Sequence, residues 1–499
     1  MATVGRQSEM TFALSLRPER AALIMLAVCA AVFAFAQIDL WHRNGFWIDE
    51  YFSLWASDPA IPLARLLTER IFPDTNPPLY FSLLALVRVV VDDPRSAFLI
   101  LNLIAIALTA LFVVARGRSS GVLATALLAT SLFIISGPVL YYVAEGRAYL
   151  MGLCAAFAIA WHGATVTESR AQPADLRWFA ALGVLSALAH VFAALFAGAF
   201  AAGLAIEGLL KKRLDLLRAG LTLGVSATAV FGVWLVFALP HMGNVAWIEF
   251  SFAAIREALW YVRQLTFGHA LMALAVIAFL AWSSQRKEMR PHLRIFAIAM
   301  VLFAALPLLA SFITPLVTGR YWLIGALAIL VVAAFALRAE LSAASTGGPN
   351  ATRSAAGAAF GALSLLAASA LSFVNAQAFM ETKPVWRGAG VVALLLGDCG
   401  PGAVHVWENH LYATASGAPE STFRDASRPD APVLDASASG CAVLGWAEHV
   451  RRGDDYLLTA SDAELLAQLR IAATPDEVRI LRHSSGFVVL KREAAESAR

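Results

Sequence analysis

The sequence predicts a polytopic all-α membrane protein with a small soluble α/β domain at its C-terminal end. Three observations carry that reading. Of 499 residues, 59% are hydrophobic and 15% charged, with a mean hydropathy of +0.69, whereas an ordinary soluble domain has ~25% charged residues. Apolar runs able to cross ~30 Å of hydrocarbon, about 17 to 25 residues each, recur through the first 380 positions. Beyond residue 380 the pattern changes to short apolar segments separated by Gly-rich turns.

The first run, "AALIMLAVCAAVFAFAQI" (21–38), follows Arg6, Arg17 and Arg20 and has no small-residue cleavage site behind it. It reads as a retained first span with a cytoplasmic N-terminus. Ten further runs, at 97–115, 120–137, 148–165, 177–189, 191–210, 219–239, 269–284, 294–311, 322–338 and 355–374, bring the expected crossings to eleven. Alternation then puts Arg116 and Arg118, Arg170 and Arg177, "KKRLDLLR" (211–218), "QRKEMRPHLR" (285–294), and Arg338 with Arg353 on the cytoplasmic side. Seventeen Lys and Arg fall inside against nine outside before residue 375, as the positive-inside rule requires.

"PPLYFSLLALVRVV" (77–90) is short and carries Arg88, so it is expected to lie at the outer interface. If it crossed, every later basic loop would change sides. Residues 177–210 could form one bent span, but two spans meeting near His190 preserve the charge pattern. Residues 1–380 are therefore expected to form the membrane domain and 381–499 an outer (periplasmic) α/β domain. In the latter, "GDCGPGAVHVWENH" and "SASGCAVLGWAEHV" read as strands, "SDAELLAQLR" as an amphipathic helix and "EVRILRHSSGFVVLKRE" as a closing hairpin. "AASTGGPNATRSAAG" is a flexible linker by composition.

Cys29 and Cys154 lie in apolar spans, where Cys is usually a small buried hydrophobe. Cys399 and Cys441 fall in separate strand-like segments of the outer domain, an oxidising setting, and are expected to form a disulfide. No Cys or His pair has zinc spacing, so neither metal nor cofactor is expected. The net charge of +3, without a basic stripe, argues against nucleic acid as a partner.

The unusual polar residues collect on the outer side. They are Asp49 and Glu50 in "FWIDEYFSLW", Asp74, Asn76 and Tyr80 in "DTNPPLYF", Glu145, Arg147 and Tyr149 in "YYVAEGRAYL", His190 between two spans, and Arg320 and Tyr321 in "GRYWLI". Ionisable groups at membrane depth are costly and are functional candidates by default. A carboxylate can take the proton of an acceptor hydroxyl as it attacks, arginines can hold a phosphate and stabilise it as it leaves, and aromatic neighbours suit a sugar face and a lipid chain. These are the parts of a transferase that uses a lipid-phosphate sugar.

The order and spacing of "DE", "NPPLYF", "EGRAYL" and "GRYWLI" resemble the GT-C glycosyltransferases. Within that class the chain is most similar to the protein O-mannosyltransferases, the lipid A aminoarabinose transferase and the rhizobial lipopolysaccharide galacturonic acid transferases, over roughly residues 20–340. The resemblance implies an inner-membrane enzyme with a polyprenyl-phosphate sugar donor and inversion at the anomeric carbon. The acceptor would be a hydroxyl of lipopolysaccharide or lipid A, a cell-wall glycan or a protein. It places the catalytic acid on Asp49 with Glu50 beside it. Arg320 with Tyr321 and Arg147 would meet the donor phosphate, and Glu145, Tyr149, Asn76, Tyr80 and His190 would line the acceptor or sugar pocket. Asn76 stands where the family often has Lys or His before Pro-Pro.

Plainer roles exist for the same residues: Glu145 with Arg147 as a structural ion pair, Arg320 as a headgroup anchor, His190 as a packing residue. Competing functions are a lipid-linked sugar flippase, which needs a midplane site and usually related halves, and an oligosaccharide ligase using a diphosphate donor.

Overall fold

The computed structural model of the chain describes residues 18–41, 46–72, 74, 76–239, 250–312, 316–345 and 350–382, with short segments between 404 and 491. Its helices are α1 (Pro18–Trp41), α2 (Ile48–Ala56), α3 (Leu63–Arg65, continuing as a π-helical stretch Leu66–Ile71), α4 (Leu79–Arg88), α5 (Pro94–Ser119), α6 (Leu123–Ile134), α7 (Gly137–Tyr142) and α8 (Tyr149–Glu168). They continue with α9 (Pro173–Ala189), α10 (Val191–Leu210), α11 (Leu214–Ala238), α12 (Phe252–Phe267), α13 (Ala270–Ser283), α14 (Met289–Ala310), α15 (Gly319–Ala326), α16 (Ala328–Ser345) and α17 (Ala351–Thr382).

Among the described residues eight helical runs are long and apolar enough to cross a membrane: α1, α5, α8, α10, α11, α14, α15 with α16, and α17. The chain is a multi-pass membrane protein. A ninth run qualifies only as the pair α12 and α13, which meet at 72°. The remaining two of the eleven expected spans fall on helices of fewer than 18 residues. Residues 177–189 lie in α9, 17 residues long. Residues 120–137 yield α6, whose 12 residues rise about 18 Å, well under ~30 Å of hydrocarbon. The short α4, 10 residues long, is likewise too short to cross.

Two glycines explain the irregular stretches. A Cβ on Gly137 would lie 2.4 Å from the Leu265 carbonyl oxygen and 2.7 Å from that of Ser372, and its N–H donates to the Ser372 hydroxyl at 3.0 Å. Close packing of α7 against α12 and α17 thus ends the run, and Pro138 starts the next helix. Gly268 adopts φ +73°, where a side chain would also strike Leu371, and its carbonyl accepts from Asn375 at 2.7 Å. That left-handed residue turns α12 away from α13. Helix α12 is amphipathic and falls outside every expected span.

The connections α5–α6, α8–α9, α10–α11 and α13–α14 and the last turns of α16 are tied by charge into one layer. Arg116 pairs with Asp175, and Arg213 with Asp215 and the Thr167 carbonyl. Arg286 pairs with Glu340, Arg294 with Glu207, and Arg338 with Glu168. Basic clusters expected on one side of the membrane therefore share one end of the bundle. Helix α2 and the turns before α8, α10 and α15 share the other. At the centre α8 is buried along its whole spanning window and α16 nearly so.

In the C-terminal segments a sheet runs in the order β2 (Arg424–Asp425), β1 (Val404–Val406), β4 (Ala442–Trp446), β7 (Gly486–Lys491), β6 (Val478–His483), and β3 (Leu434–Asp435) pairs with β5 (Ile471–Ala472). β6 and β7 pair antiparallel in the expected closing hairpin, with His483 opposite Gly486. A short helix spans Asp462–Gln468. Cys399 and Cys441 lie outside the described residues.

Candidate active site

Helix α2 carries Asp49 and is fixed at both ends. At its start, Glu50 folds back so that Oε2 accepts the Trp47 N–H at 3.0 Å, a third-position carboxylate satisfying an orphan donor. At its end two arginines cap the terminal carbonyls. Arg88 of α4 donates to the Leu54 oxygen and the Ser57 hydroxyl. Arg70 donates to the Trp55 oxygen at 2.7 Å while its guanidinium lies over the Trp55 ring.

The second component is the irregular turn 143–148 between α7 and α8. Asn102, a buried polar residue within α5, donates to the Val143 and Glu145 carbonyls at 2.9 Å each. Glu50 Oε1 accepts the Gly146 N–H at 3.1 Å, tying this turn to α2. A Cβ on Gly146 would sit 2.4 Å from the Phe98 ring, so glycine lets the turn approach. Arg147 is thereby delivered beside α2. The third component is the start of α15, where a Cβ on Gly319 would fall 2.7 Å from Tyr261. The Thr318 hydroxyl caps this helix by accepting the Arg320 N–H.

The three meet at one oxygen. Asp49 Oδ2 lies 3.4 Å from Arg320 Nη1 and 3.8 Å from Arg147 Nε, and Arg147 Nη1 also donates to the Asp49 carbonyl at 3.4 Å. Charge-assisted bonds of this type are normally ~2.7 to 2.9 Å. Arg320 lies over the Trp47 ring at 4.6 Å and Arg147 over Phe52 at 5.7 Å. Burial works against the charge on Arg147, yet Asp49 foremost, with Asp74 and Glu145 behind it, overrides that cost and holds its pKa above the ordinary value.

An aromatic wall adjoins the charges. Tyr321 stacks on Phe192 at 4.3 Å, and Tyr149 lies 5.3 Å from the His190 ring and 6.3 Å from Tyr321. Glu145 is buried, and its charge reaches Arg147 and Arg320. Tyr80 is fully buried, and burial first, then Glu50, pushes its hydroxyl well above the ordinary value. Asn76 donates to Asp74 at 3.3 Å. Of the sequence-predicted residues, Asp49, Arg147 and Arg320 thus converge, with Tyr149, His190 and Tyr321 forming the adjoining wall. Glu50 is engaged by backbone on both sides, and the Asn76 amide is turned to Asp74.

Sequence reasoning missed Asn102, Arg70 and the capping use of Arg88, along with the Tyr142 and Tyr261 hydroxyls, 3.5 Å apart. A lone Asn in an apolar run was the one legible signal among these. Among the described residues no three His, Cys, Asp or Glu side chains gather closely enough to hold a metal ion.

No protein-family model matches the chain, and no curated protein does. Solved structures match by fold. ArnT from Cupriavidus metallidurans in the apo state is 14% identical over 94% of this chain and 97% of that one, with a TM-score of 0.53. The Archaeoglobus fulgidus oligosaccharyltransferase in its apo form is 13% identical over 90% and 69%, with a TM-score of 0.55. Its complex with Zn and sulfate is 12% identical over 85% and 68%, with a TM-score of 0.52. The bundle has the GT-C fold.

Proposed function

We propose that the protein is an inverting membrane glycosyltransferase that moves one sugar from a polyprenyl-phosphate donor to a hydroxyl of an extracytoplasmic acceptor. The reading rests foremost on the Asp49 carboxylate lying between two arginines, 3.4 and 3.8 Å away, where three separate sequence motifs meet. The GT-C fold supports it. In this reading the protein lies in the inner membrane with its N-terminus in the cytoplasm and the 381–499 domain in the periplasm. The acceptor is a lipopolysaccharide or lipid A, a cell-wall glycan or a protein.

Asp49 takes the acceptor's hydroxyl proton as that oxygen bonds to the anomeric carbon from the face opposite the phosphate. The bond from that carbon to the phosphate oxygen breaks, and the phosphate leaves with the electron pair. Arg320 and Arg147, with Tyr321 beside them, hold the phosphate and stabilise its added charge. An arriving phosphate competes with Asp49 for the two guanidiniums, so donor binding draws them away and leaves the carboxylate open to the acceptor. Glu50 fixes α2 against the 143–148 turn. Glu145, Tyr149, Asn76 and Tyr80 surround the sugar or acceptor, with His190 packed against Tyr149.

The deciding experiment supplies purified protein in sealed proteoliposomes with radiolabelled polyprenyl-phosphate sugars and lipopolysaccharide, and follows label transfer together with the sidedness of the labelled lipid. Transfer by wild type and its loss in Asp49→Asn support the reading. Movement of the labelled lipid across the bilayer without transfer would instead identify a flippase.

A further inference from the structure

His190 links two helices, and its hydrogen bonding divides its ring in two. It is the N-cap of α10, where Nδ1 accepts the Phe192 N–H at 3.1 Å. An imidazole nitrogen that accepts carries no proton, so the proton of the neutral ring is on Nε2. A second proton would put charge in a buried setting within the field of Arg147. The Nε2–H is therefore a fixed donor, and it is buried without a hydrogen-bond partner, the residue being only 1% exposed. Buried donors are rarely left unmet.

Its surroundings indicate what it awaits. The ring stands against Tyr149 at 5.3 Å and Tyr321 at 5.9 Å, the aromatic wall of the Asp49 site. It could pack this closely because Gly152 of α8 faces it, where a Cβ would be 3.1 Å from the His190 Cβ. Among the described residues the charge that acts on the ring is that of Arg147, which disfavours a second proton on the imidazole and favours an anion beside it.

We propose that His190 is a ligand-binding residue whose Nε2–H donates to an anionic phosphate oxygen of the substrate headgroup, the same phosphate that Arg147 holds. This rests on the lipid-phosphate reading of the site. Capping α10 and binding phosphate use different nitrogens of one ring, and side-chain amides separate them. In His190→Asn the amide oxygen takes the place of Nδ1 as cap and the ε donor is gone. In His190→Gln a donor is restored near the ε position and the cap is weakened.

The test measures binding of polyprenyl phosphate to the protein in nanodiscs, together with the thermal midpoint. His190→Asn should melt close to wild type and bind about tenfold to a hundredfold more weakly, as expected on losing a hydrogen bond to a charged group. His190→Gln should melt lower yet bind more tightly than His190→Asn. A folded His190→Asn with wild-type affinity overturns the inference and leaves the phosphate site standing. Wild type without affinity for polyprenyl phosphate overturns both. Should His190→Asn not fold, the histidine ¹⁵Nε2 resonance of wild type decides: a shift on adding polyprenyl phosphate supports the donor role, and an unmoved resonance overturns it.

Discussion

Arginine meets carboxylate at both ends of the bundle, in two different geometries. At the basic-turn end Arg294 grips Glu207 through two donors at 2.7 and 2.6 Å, and Arg286 grips Glu340 at 3.2 and 3.0 Å. Both glutamates are fully buried. At the α2 end a single oxygen of Asp49 stands at 3.4 and 3.8 Å from two guanidiniums. A fork closed on one carboxylate has spent its geometry on that partner. A carboxylate shared loosely between two arginines leaves most of their N–H groups for something else. The first arrangement locks helices together; the second leaves donors for the phosphate proposed above.

Breaking a lock should have the largest effect. Arg286→Ala strands the buried Glu340 carboxylate and should cost about 3 to 5 kcal/mol, read as a lowered midpoint in denaturation, while binding of polyprenyl phosphate to the folded fraction is unchanged. A variant as stable as wild type would erase the contrast between the two ends. Next, Asp49→Asn should lower turnover about 10²-fold or more without weakening phosphate binding, because it removes the competitor for the guanidiniums. Full activity in that variant would end the base assignment.

Arg320→Ala should weaken polyprenyl-phosphate binding about tenfold to a hundredfold, and Arg320→Lys should restore only part of it, since an ammonium cannot present the planar fork. Equal affinity in all three proteins would make Arg320 a headgroup anchor. The smallest effect belongs to Arg88→Met, which keeps the stem but uncaps α2. It should reduce turnover severalfold through a less fixed Asp49 and leave phosphate affinity alone. A matching loss of affinity would mean that the outer helices collapse together.

This division of labour was only partly legible in the sequence. Asp49, Arg147 and Arg320 are separated by about 100 and 170 residues, yet the short motifs around them marked all three, because charge beside apolar runs stands out. Residues that hold the backbone in place do not. Asn102 is one amide among leucines and isoleucines, and nothing in that run says that it faces the turn at 143–148. Arg70 and Arg88 look like ordinary interfacial charges until α2 ends against them. Hydropathy also overstated α6: the run 120–137 stopped at the Gly137–Pro138 break signal, yet its helix covers only Leu123–Ile134, and the short α7 beyond the break fell outside every expected span. Helix α12 escaped for the opposite reason: its polar face lowers its mean hydropathy, although its periodicity is helical.

Helix α8 has a consequence for how the chain is made. Its spanning window has a mean hydropathy of 1.5, the lowest of the eight, and is completely enclosed, whereas α5 reaches 2.8 with much of its surface open. The helix that least favours lipid is the one that never meets it in the finished fold. Part of its enclosure comes from α15 and α16, which leave the ribosome about 170 residues after α8 begins. During synthesis α8 must therefore wait with a flank uncovered, sheltered by the insertion machinery or by provisional neighbours. A chain interrupted before Gly319 would keep that flank exposed, the kind of surface by which membrane quality control can distinguish an unfinished product from a complete one.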